Sequence, residues 1–197
     1  MDGSETPHLM ARTDFVERSP LTGEALAFAD KRHAGQTRDI EEVPFVTHPV
    51  EVACLLHEAG YSDEVVAAGV LHDVLEDTDA EPEDLVSRFG HDVASLVGAV
   101  SDDPTIEDPL ERKAALRRQV AEAGERAAAV FAADKISKAR ELRVRMSRGA
   151  HREGDSAKVE HYEASLEMLA GVVPGHDLLD QLRKELDALH TLPACGV

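Results

Sequence analysis

The stretch Leu71-His72-Asp73-Val74-Leu75-Glu76-Asp77-Thr78 places four polar groups in an otherwise apolar segment. On a helix, positions three and four apart share a face, so the side chains of His72, Asp73, Glu76 and Asp77 are expected to form one patch. Three carboxylates and an imidazole would repel one another and would be costly to desolvate unless a divalent cation neutralised them. Imidazole together with carboxylate suits manganese, iron or zinc better than calcium. The stretch therefore predicts part of a metal site.

One helix cannot surround an ion, so further ligands are expected from other parts of the chain. His48 precedes Pro49 at a predicted helix start, from which its side chain can lean over the neighbouring helix. Asp134 interrupts the apolar run 128–133, and a metal would offset the cost of burying its charge. The predicted ligand set is His48, His72, Asp73 and Asp134.

A second His-Asp pair, His91-Asp92, acts as an internal comparison. Gly90 precedes it and no acidic residue follows on the next turns, so it predicts only a helix start, where Asp92 is favourable near the N-terminal dipole. A lone histidine is more often a satisfied or surface residue than a ligand, and a lone buried aspartate is more often a cap or an ion-pair partner. Only the first pair has acids on its face and the additional partners His48 and Asp134.

The composition outside these motifs is typical of an all-α protein. Hydrophobic residues make up 43% of the chain, aromatic residues 4%, and tryptophan is absent, which favours helices packed through aliphatic side chains over sheets. The periodicity predicts about eight to nine helices in one bundle, with one helix running from Ser62 to about Asp77 and a break at Gly90. We expect a flexible leader at residues 1–20, a single domain at 21–192 and a tail at 193–197.

The net charge of −18 argues against a nucleic acid or an anionic membrane as partner. No apolar run approaches the roughly 20 residues that span a bilayer, and no signal-peptide pattern is present. Cys54 and Cys195 stand far apart and predict free thiols in a reducing cytoplasm. The oligomeric state is not predicted by these features.

Five segments carry a resemblance to a known family. The order of His48, His72-Asp73 and Asp134 is that of HD-domain phosphohydrolases. In addition, segments 33–38, 44–49, 71–78, 89–90 and 133–135 resemble, in order and near-spacing, the RelA/SpoT-type hydrolase domain, in the form of a stand-alone small alarmone hydrolase. The resemblance implies an all-α HD-domain bundle with one manganese ion. It also implies removal of the 3′-pyrophosphate of (p)ppGpp to give GDP or GTP and pyrophosphate.

The resemblance also implies roles for individual residues. It assigns metal ligation to the four residues named above, and it assigns Glu76 and Asp77 to the attacking water and the leaving group, with base and acid left open between them. Arg38 matches an arginine that lies against the guanine base. Lys138 lies one helical turn beyond Asp134, so we expect it near the metal and in contact with substrate phosphate.

Three positions depart from the family pattern. Lys138 stands where asparagine is usual, Glu141 where a small hydroxyl residue is common, and Asp39 where a basic residue is frequent. These positions concern substrate recognition, so two alternatives stay open. One is an HD phosphohydrolase for another nucleotide, such as a nucleoside phosphate or the 2′-phosphate of NADPH. The other is a non-catalytic metal- or nucleotide-binding module, against which the intact Glu76 and Asp77 argue.

Overall fold

The computed structural model describes residues 19–38, 40 and 43–192 of the 197-residue chain. Within these ranges the chain forms helices joined by short loops, and the only β-pairing is an isolated bridge between Thr37 and Pro44. The all-α prediction is confirmed. The nine helices of the described ranges are α1 (Pro20–Arg32), α2 (Thr47–Glu58), α3 (Asp63–Leu71), α4 (Val74–Asp77), α5 (Pro82–Val100), α6 (Pro109–Ala123), α7 (Glu125–Ser147), α8 (Asp155–Val172) and α9 (Asp177–His190).

The predicted leader and tail fall mostly on residues outside the described ranges, as do Asp39 and Cys195. Helix α1 begins inside the predicted leader, at Pro20, because the Ser19 side chain caps it by accepting a hydrogen bond from the Thr22 amide. No helix in the described part of the chain is long and apolar enough to cross a bilayer.

Helix α7 lies at the centre of the bundle and contacts α2, α3, α5, α6, α8 and α9. Residues 127–137 of α7 are buried without interruption, and five of them are alanines, which let the neighbouring helices approach closely. Helices α2 and α3 also pack tightly, because Gly69 has no side chain and a Cβ there would overlap Leu56 Cδ1. Asp134 is therefore held on a rigid central element, close to both α2 and α3.

The structure confirms one predicted helix break and adds another. Gly90 interrupts α5 with a φ of 80°, a conformation that glycine adopts without strain. The predicted continuous helix to Asp77 is wrong, since α3 ends at Leu71 and α4 begins only at Val74. Adjacent residues of a regular helix point about 100° apart, so the break allows His72 and Asp73 to point to the same place.

Candidate metal centre

Three parts of the bundle bring the four predicted ligands together. His48 is the second residue of α2, His72 and Asp73 form the turn between α3 and α4, and Asp134 lies in the middle of α7. All four are buried, with exposed fractions of 2–4%. One nitrogen or oxygen atom from each of them lies within 4.8 Å of the corresponding atoms of the others.

The four facing atoms are the Nε2 atoms of both imidazoles and one oxygen from each carboxylate. His48 Nε2 lies 3.1 Å from His72 Nε2, 3.2 Å from Asp73 Oδ2 and 3.2 Å from Asp134 Oδ1. His72 Nε2 lies 3.1 Å from Asp73 Oδ2 and 3.4 Å from Asp134 Oδ1. Nitrogen and oxygen ligands lie about 2.0–2.2 Å from a zinc-sized divalent ion, so donors that share such an ion are separated by roughly 3 Å. The observed spacing fits this requirement.

Hydrogen bonds behind the imidazoles direct their lone pairs at this centre. His72 Nδ1 lies 2.8 Å from the Gly69 carbonyl oxygen, which only accepts, so Nδ1 carries the proton and Nε2 is left as an acceptor. Asp73 Oδ2 and Asp134 Oδ1 are buried and accept no well-aligned hydrogen bond from the described residues. When both imidazoles are neutral, two Nε2 lone pairs and two carboxylate oxygens therefore converge on one point, an arrangement suited to a divalent metal.

The shifted pKa values of the site also show that its carboxylates stabilise nearby positive charge. Burial alone would lower the pKa of His72, but the charges of Asp73 and Asp134 outweigh it and raise this pKa to about 10. Burial alone would likewise raise the pKa of both aspartates. Neighbouring cations, among them Lys138, instead hold the pKa of each aspartate well below its usual range. In the absence of a metal, the cluster therefore binds protons and ammonium groups.

Two lysines of α7 contact the predicted ligands. Lys138 Nζ lies 3.0 Å from Asp134 Oδ1 and 3.3 Å from Asp73 Oδ1, as expected for a cation beside the site. Lys135 is buried, donates to Asp134 Oδ2 at 2.6 Å and sits over the ring of Phe131. Lys135 therefore holds one oxygen of Asp134, and Lys138 contacts the other oxygen, which faces the centre.

Glu76 and Asp77 lie beside the four-residue cluster and outside it. Both side chains reach solvent, and Glu76 Oε1 accepts a hydrogen bond from the Asp102 amide at 2.8 Å. Desolvation by the surrounding protein and the charge of Asp73 raise the pKa of both carboxyls. Carboxyl groups with raised pKa values are suited to proton transfer near neutral pH.

Arg38 is held by two carboxylates. Its Nε donates to Glu141 Oε2 at 2.9 Å, and Nη1 lies 3.3 Å from Glu51 Oε2. Glu141, one of the departures noted above, therefore neutralises the arginine that the resemblance places against the base.

A pocket of about 330 Å³ opens next to the cluster and is lined by both Arg38 and Lys138. Its wall also contains cationic and aromatic residues for which the sequence predicted no role at the site. These residues are Lys113, Arg145, Lys158, His161 and Tyr162. Lys158 and Tyr162 share a face of α8 at a spacing of four residues.

The second His-Asp pair, His91-Asp92, lies outside this cluster. Asp92 forms an ion pair with Arg126 on the surface and lies just after the break at Gly90 in α5, where a helix start was predicted. Among the described residues, the cluster of four is the one group of metal-ligating side chains with converging donor atoms.

Comparison with known proteins gives a consistent family assignment. A family model for the HD domain matches residues 25–159, more than half of the chain. Guanosine-3′,5′-bis(diphosphate) 3′-pyrophosphohydrolase MESH1 of Drosophila melanogaster is 41% identical over 129 residues, which cover 64% of this chain and 72% of that protein. The MESH1 protein of Mus musculus is 36% identical over 166 residues, covering 83% of this chain and 90% of that protein.

A bacterial enzyme and a solved structure extend the similarity. The bifunctional (p)ppGpp synthase/hydrolase SpoT of Escherichia coli is 47% identical over 78 residues, which cover 40% of this chain and 11% of SpoT. The solved structure of a metazoan SpoT orthologue, described as hydrolysing ppGpp, superposes with a TM-score of 0.76 at 33% identity. The superposition covers 89% of this chain and 98% of the chain in the solved structure. The chain therefore belongs to the HD-domain family and is a homologue of the MESH1 and SpoT (p)ppGpp 3′-pyrophosphohydrolases.

Proposed function

We propose that this protein is a metal-dependent (p)ppGpp 3′-pyrophosphohydrolase that releases pyrophosphate and leaves GDP or GTP. The observation that carries the proposal is the convergence of four buried lone-pair atoms at the edge of a basic pocket. Homology to hydrolases named for this reaction supports the choice of substrate. We also propose that the enzyme acts in the cytoplasm, as its two widely spaced cysteines suggest.

We propose manganese as the ion, held by His48, His72, Asp73 and Asp134. Their imidazole and carboxylate donors suit manganese and its transition-metal neighbours. When bound, the ion supplies a Lewis acid that activates water and neutralises phosphate charge.

The chain's own carboxylates then handle the protons. Glu76 and Asp77 stand next to Asp73 on the solvent-facing side of the cluster, with raised pKa values. We propose that one carboxylate accepts a proton from the attacking water and that the other, as the acid, donates a proton to the departing pyrophosphate. Because both respond to the charge of Asp73, the pair titrates as a coupled group, and the two roles stay open between them.

The pocket concentrates positive charge in a protein of net charge −18. Its wall carries Lys113, Lys135, Lys138, Arg145 and Lys158, with Glu141 as the acidic residue among the lining side chains. Cationic side chains that line a pocket attract polyanions such as a nucleotide with two diphosphate groups, although most of these cations also pair with carboxylates behind the wall. We propose that Lys138 contacts substrate phosphate and that Arg38 contacts the base, for which the ion pair of Arg38 with Glu141 must rearrange.

The test is turnover by the purified full chain. The chain is incubated with ppGpp and MnCl₂, and GDP and pyrophosphate are quantified. Wild type should form both in equal amounts, Asp73→Asn should lose at least about 10²-fold in rate with its metal, and Asp92→Asn, from the second His-Asp pair, should match wild type. Absence of product from wild type, or equal rates in wild type and Asp73→Asn, would refute the proposal.

A second candidate keeps the site and changes the nucleotide. Lys138 contacts the predicted ligands, and Glu141 engages Arg38, so the two departures from the family pattern touch both ends of the substrate region. These contacts favour a test with a panel containing nucleoside phosphates and NADPH. Turnover of a panel member with no turnover of ppGpp would support this candidate. Tight nucleotide binding without any product would support a non-catalytic binding module.

A further inference from the structure

A hydroxyl and a carboxylate continue the hydrogen-bond chain of His48 away from the metal centre. His48 Nδ1 lies 2.8 Å from Ser137 Oγ, and Ser137 Oγ donates to Glu51 Oε2 at 2.6 Å. We propose that Ser137 and Glu51 are positioning residues that fix the ring orientation and the protonated nitrogen of His48, and thereby set the affinity of the metal centre. This inference rests on the metal site of the proposed function.

The donor and acceptor in each of these hydrogen bonds follow from the chemical groups involved. Arg38 and Arg140 both contact Glu51, at 3.3 and 3.1 Å, and keep it a carboxylate, which only accepts hydrogen bonds. Burial alone would raise the pKa of Glu51, but the hydrogen bonds from Ser137 and Arg140 outweigh it and lower this pKa.

Ser137 has a single hydroxyl proton, which it donates in the hydrogen bond to Glu51. The Ser137 oxygen can then only accept from His48, so His48 Nδ1 must carry the ring proton. His48 Nε2 is left with a lone pair that faces the other three donor atoms. The reverse order would place a proton on Nε2, where it would compete with a metal.

The hydrogen bonds of His48, Ser137 and Glu51 also hold helices α2 and α7 together at the site. His48 and Glu51 are three residues apart on α2, and Asp134 and Ser137 are three residues apart on α7, so each helix presents one predicted ligand and one supporting residue on the same face. Ser137 is fully buried at this contact. A shift of either helix would therefore disturb the ligand positions and the hydrogen bonds together.

Glu185 provides a matched control in the same charge network. It accepts from Arg140 at 2.8 Å and from Arg143 at 2.9 Å, and it joins Glu51 through Arg140. Glu185→Gln removes the same charge as Glu51→Gln without touching Ser137. Ser137→Ala removes the hydroxyl without changing any charge.

The experiment measures manganese affinity of the full chain in the absence of nucleotide. Each variant is stripped with chelator, titrated with MnCl₂, and the free ion is followed by electron paramagnetic resonance. Ser137→Ala and Glu51→Gln should bind about 10- to 100-fold more weakly than wild type, as is usual when the hydrogen-bond partner of a ligating histidine is removed. Glu185→Gln should stay within about twofold of wild type, because it lies outside the chain to His48.

A spectroscopic signature separates positioning from a general loss of structure. In the zinc-loaded protein labelled with ¹⁵N-histidine, the His48 Nδ1 proton should be observed in wild type and in Glu185→Gln. It should be lost to solvent exchange in Ser137→Ala.

Two results would overturn the inference while the proposed function stands. One is wild-type affinity in Ser137→Ala and Glu51→Gln, and the other is equal weakening in all three variants. Failure of the wild-type chain to bind manganese at all would overturn both proposals.

Discussion

Replacement of Lys138 by methionine is expected to strengthen metal binding. The Lys138 ammonium lies 3.0 Å from Asp134 Oδ1 and 3.3 Å from Asp73 Oδ1, so it already offsets part of the negative charge that a metal would neutralise. A divalent ion between the same carboxylates would be repelled by this ammonium and would weaken its ion pairs. Methionine keeps an unbranched apolar stem of similar length and removes the charge.

The size of the effect follows from the contacts of Lys138. A hydrogen bond to a charged partner contributes about 1.5–3 kcal/mol. The Lys138 side chain is 34% exposed, so solvent screening reduces the value, and we take about 1–2 kcal/mol. Since about 1.4 kcal/mol corresponds to tenfold, manganese affinity should rise about 5- to 30-fold. The metal-free variant should lose a similar free energy of unfolding, because two buried carboxylates lose a partner.

Isothermal titration of the full chain with MnCl₂ alone measures this change. Lys113→Met is the matched control, because Lys113 lines the same pocket and is paired with Asp102, away from the predicted ligands. The control should bind manganese as wild type does. Unchanged or weaker manganese binding in Lys138→Met would refute the view that this ammonium and the metal share the same carboxylates.

Three further predictions concern packing, backbone and acid–base chemistry. Gly69→Ala should destabilise the protein by about 1–3 kcal/mol, seen as a lower Tm, because the added methyl group overlaps Leu56; an unchanged Tm would contradict the close approach. Gly90→Ala should cost about 1–3 kcal/mol in urea unfolding, because no atom lies near the new Cβ and the penalty comes from a φ of 80° combined with a ψ of 169°, a backbone conformation essentially restricted to glycine; a cost near zero would contradict this conformation. Because the pKa values of Glu76 and Asp77 are raised, activity should fall as pH drops through a value above the ordinary carboxyl range. Glu76→Gln or Asp77→Asn should abolish that acidic limb, and its persistence in both variants would exclude both as the base.

The metal centre was accessible to sequence reasoning because three of the four proposed ligands break an apolar pattern. Asp134 interrupts a run of buried residues, and His72 and Asp73 follow the apolar end of α3. Such positions are costly unless something compensates them, so they stand out without any knowledge of the fold. The turn between α3 and α4 was not predictable in the same way, because it arises where two adjacent side chains must reach one point in space.

The supporting residues could not be found by the same reasoning. Ser137 and Glu51 are ordinary residues in their own helices, and their relation to His48 exists only where α2 meets α7, across 86 and 89 residues of sequence. Lys158 and Tyr162 show the same difficulty. Their helix α8 carries an apolar stripe typical of a core helix, and only the packed bundle places part of its face along the pocket.

Two of the departures from the family pattern, Lys138 and Glu141, lie close together on α7, and their positions give them a common explanation. Lys138 and Glu141 are three residues apart and share a face, with the lysine at the predicted ligands and the glutamate at Arg38. Together they leave the summed charge of the pocket unchanged and move positive charge from the expected base end toward the phosphate end. Arg38 is held by two carboxylates, so it has less free energy to gain from a base. Lys138 also contacts two carboxylates, but a metal bound between them would weaken these ion pairs and leave the ammonium to contact phosphate. Substrate choice in this protein should therefore depend more on phosphate groups and less on the identity of the base, which the nucleotide panel measures directly.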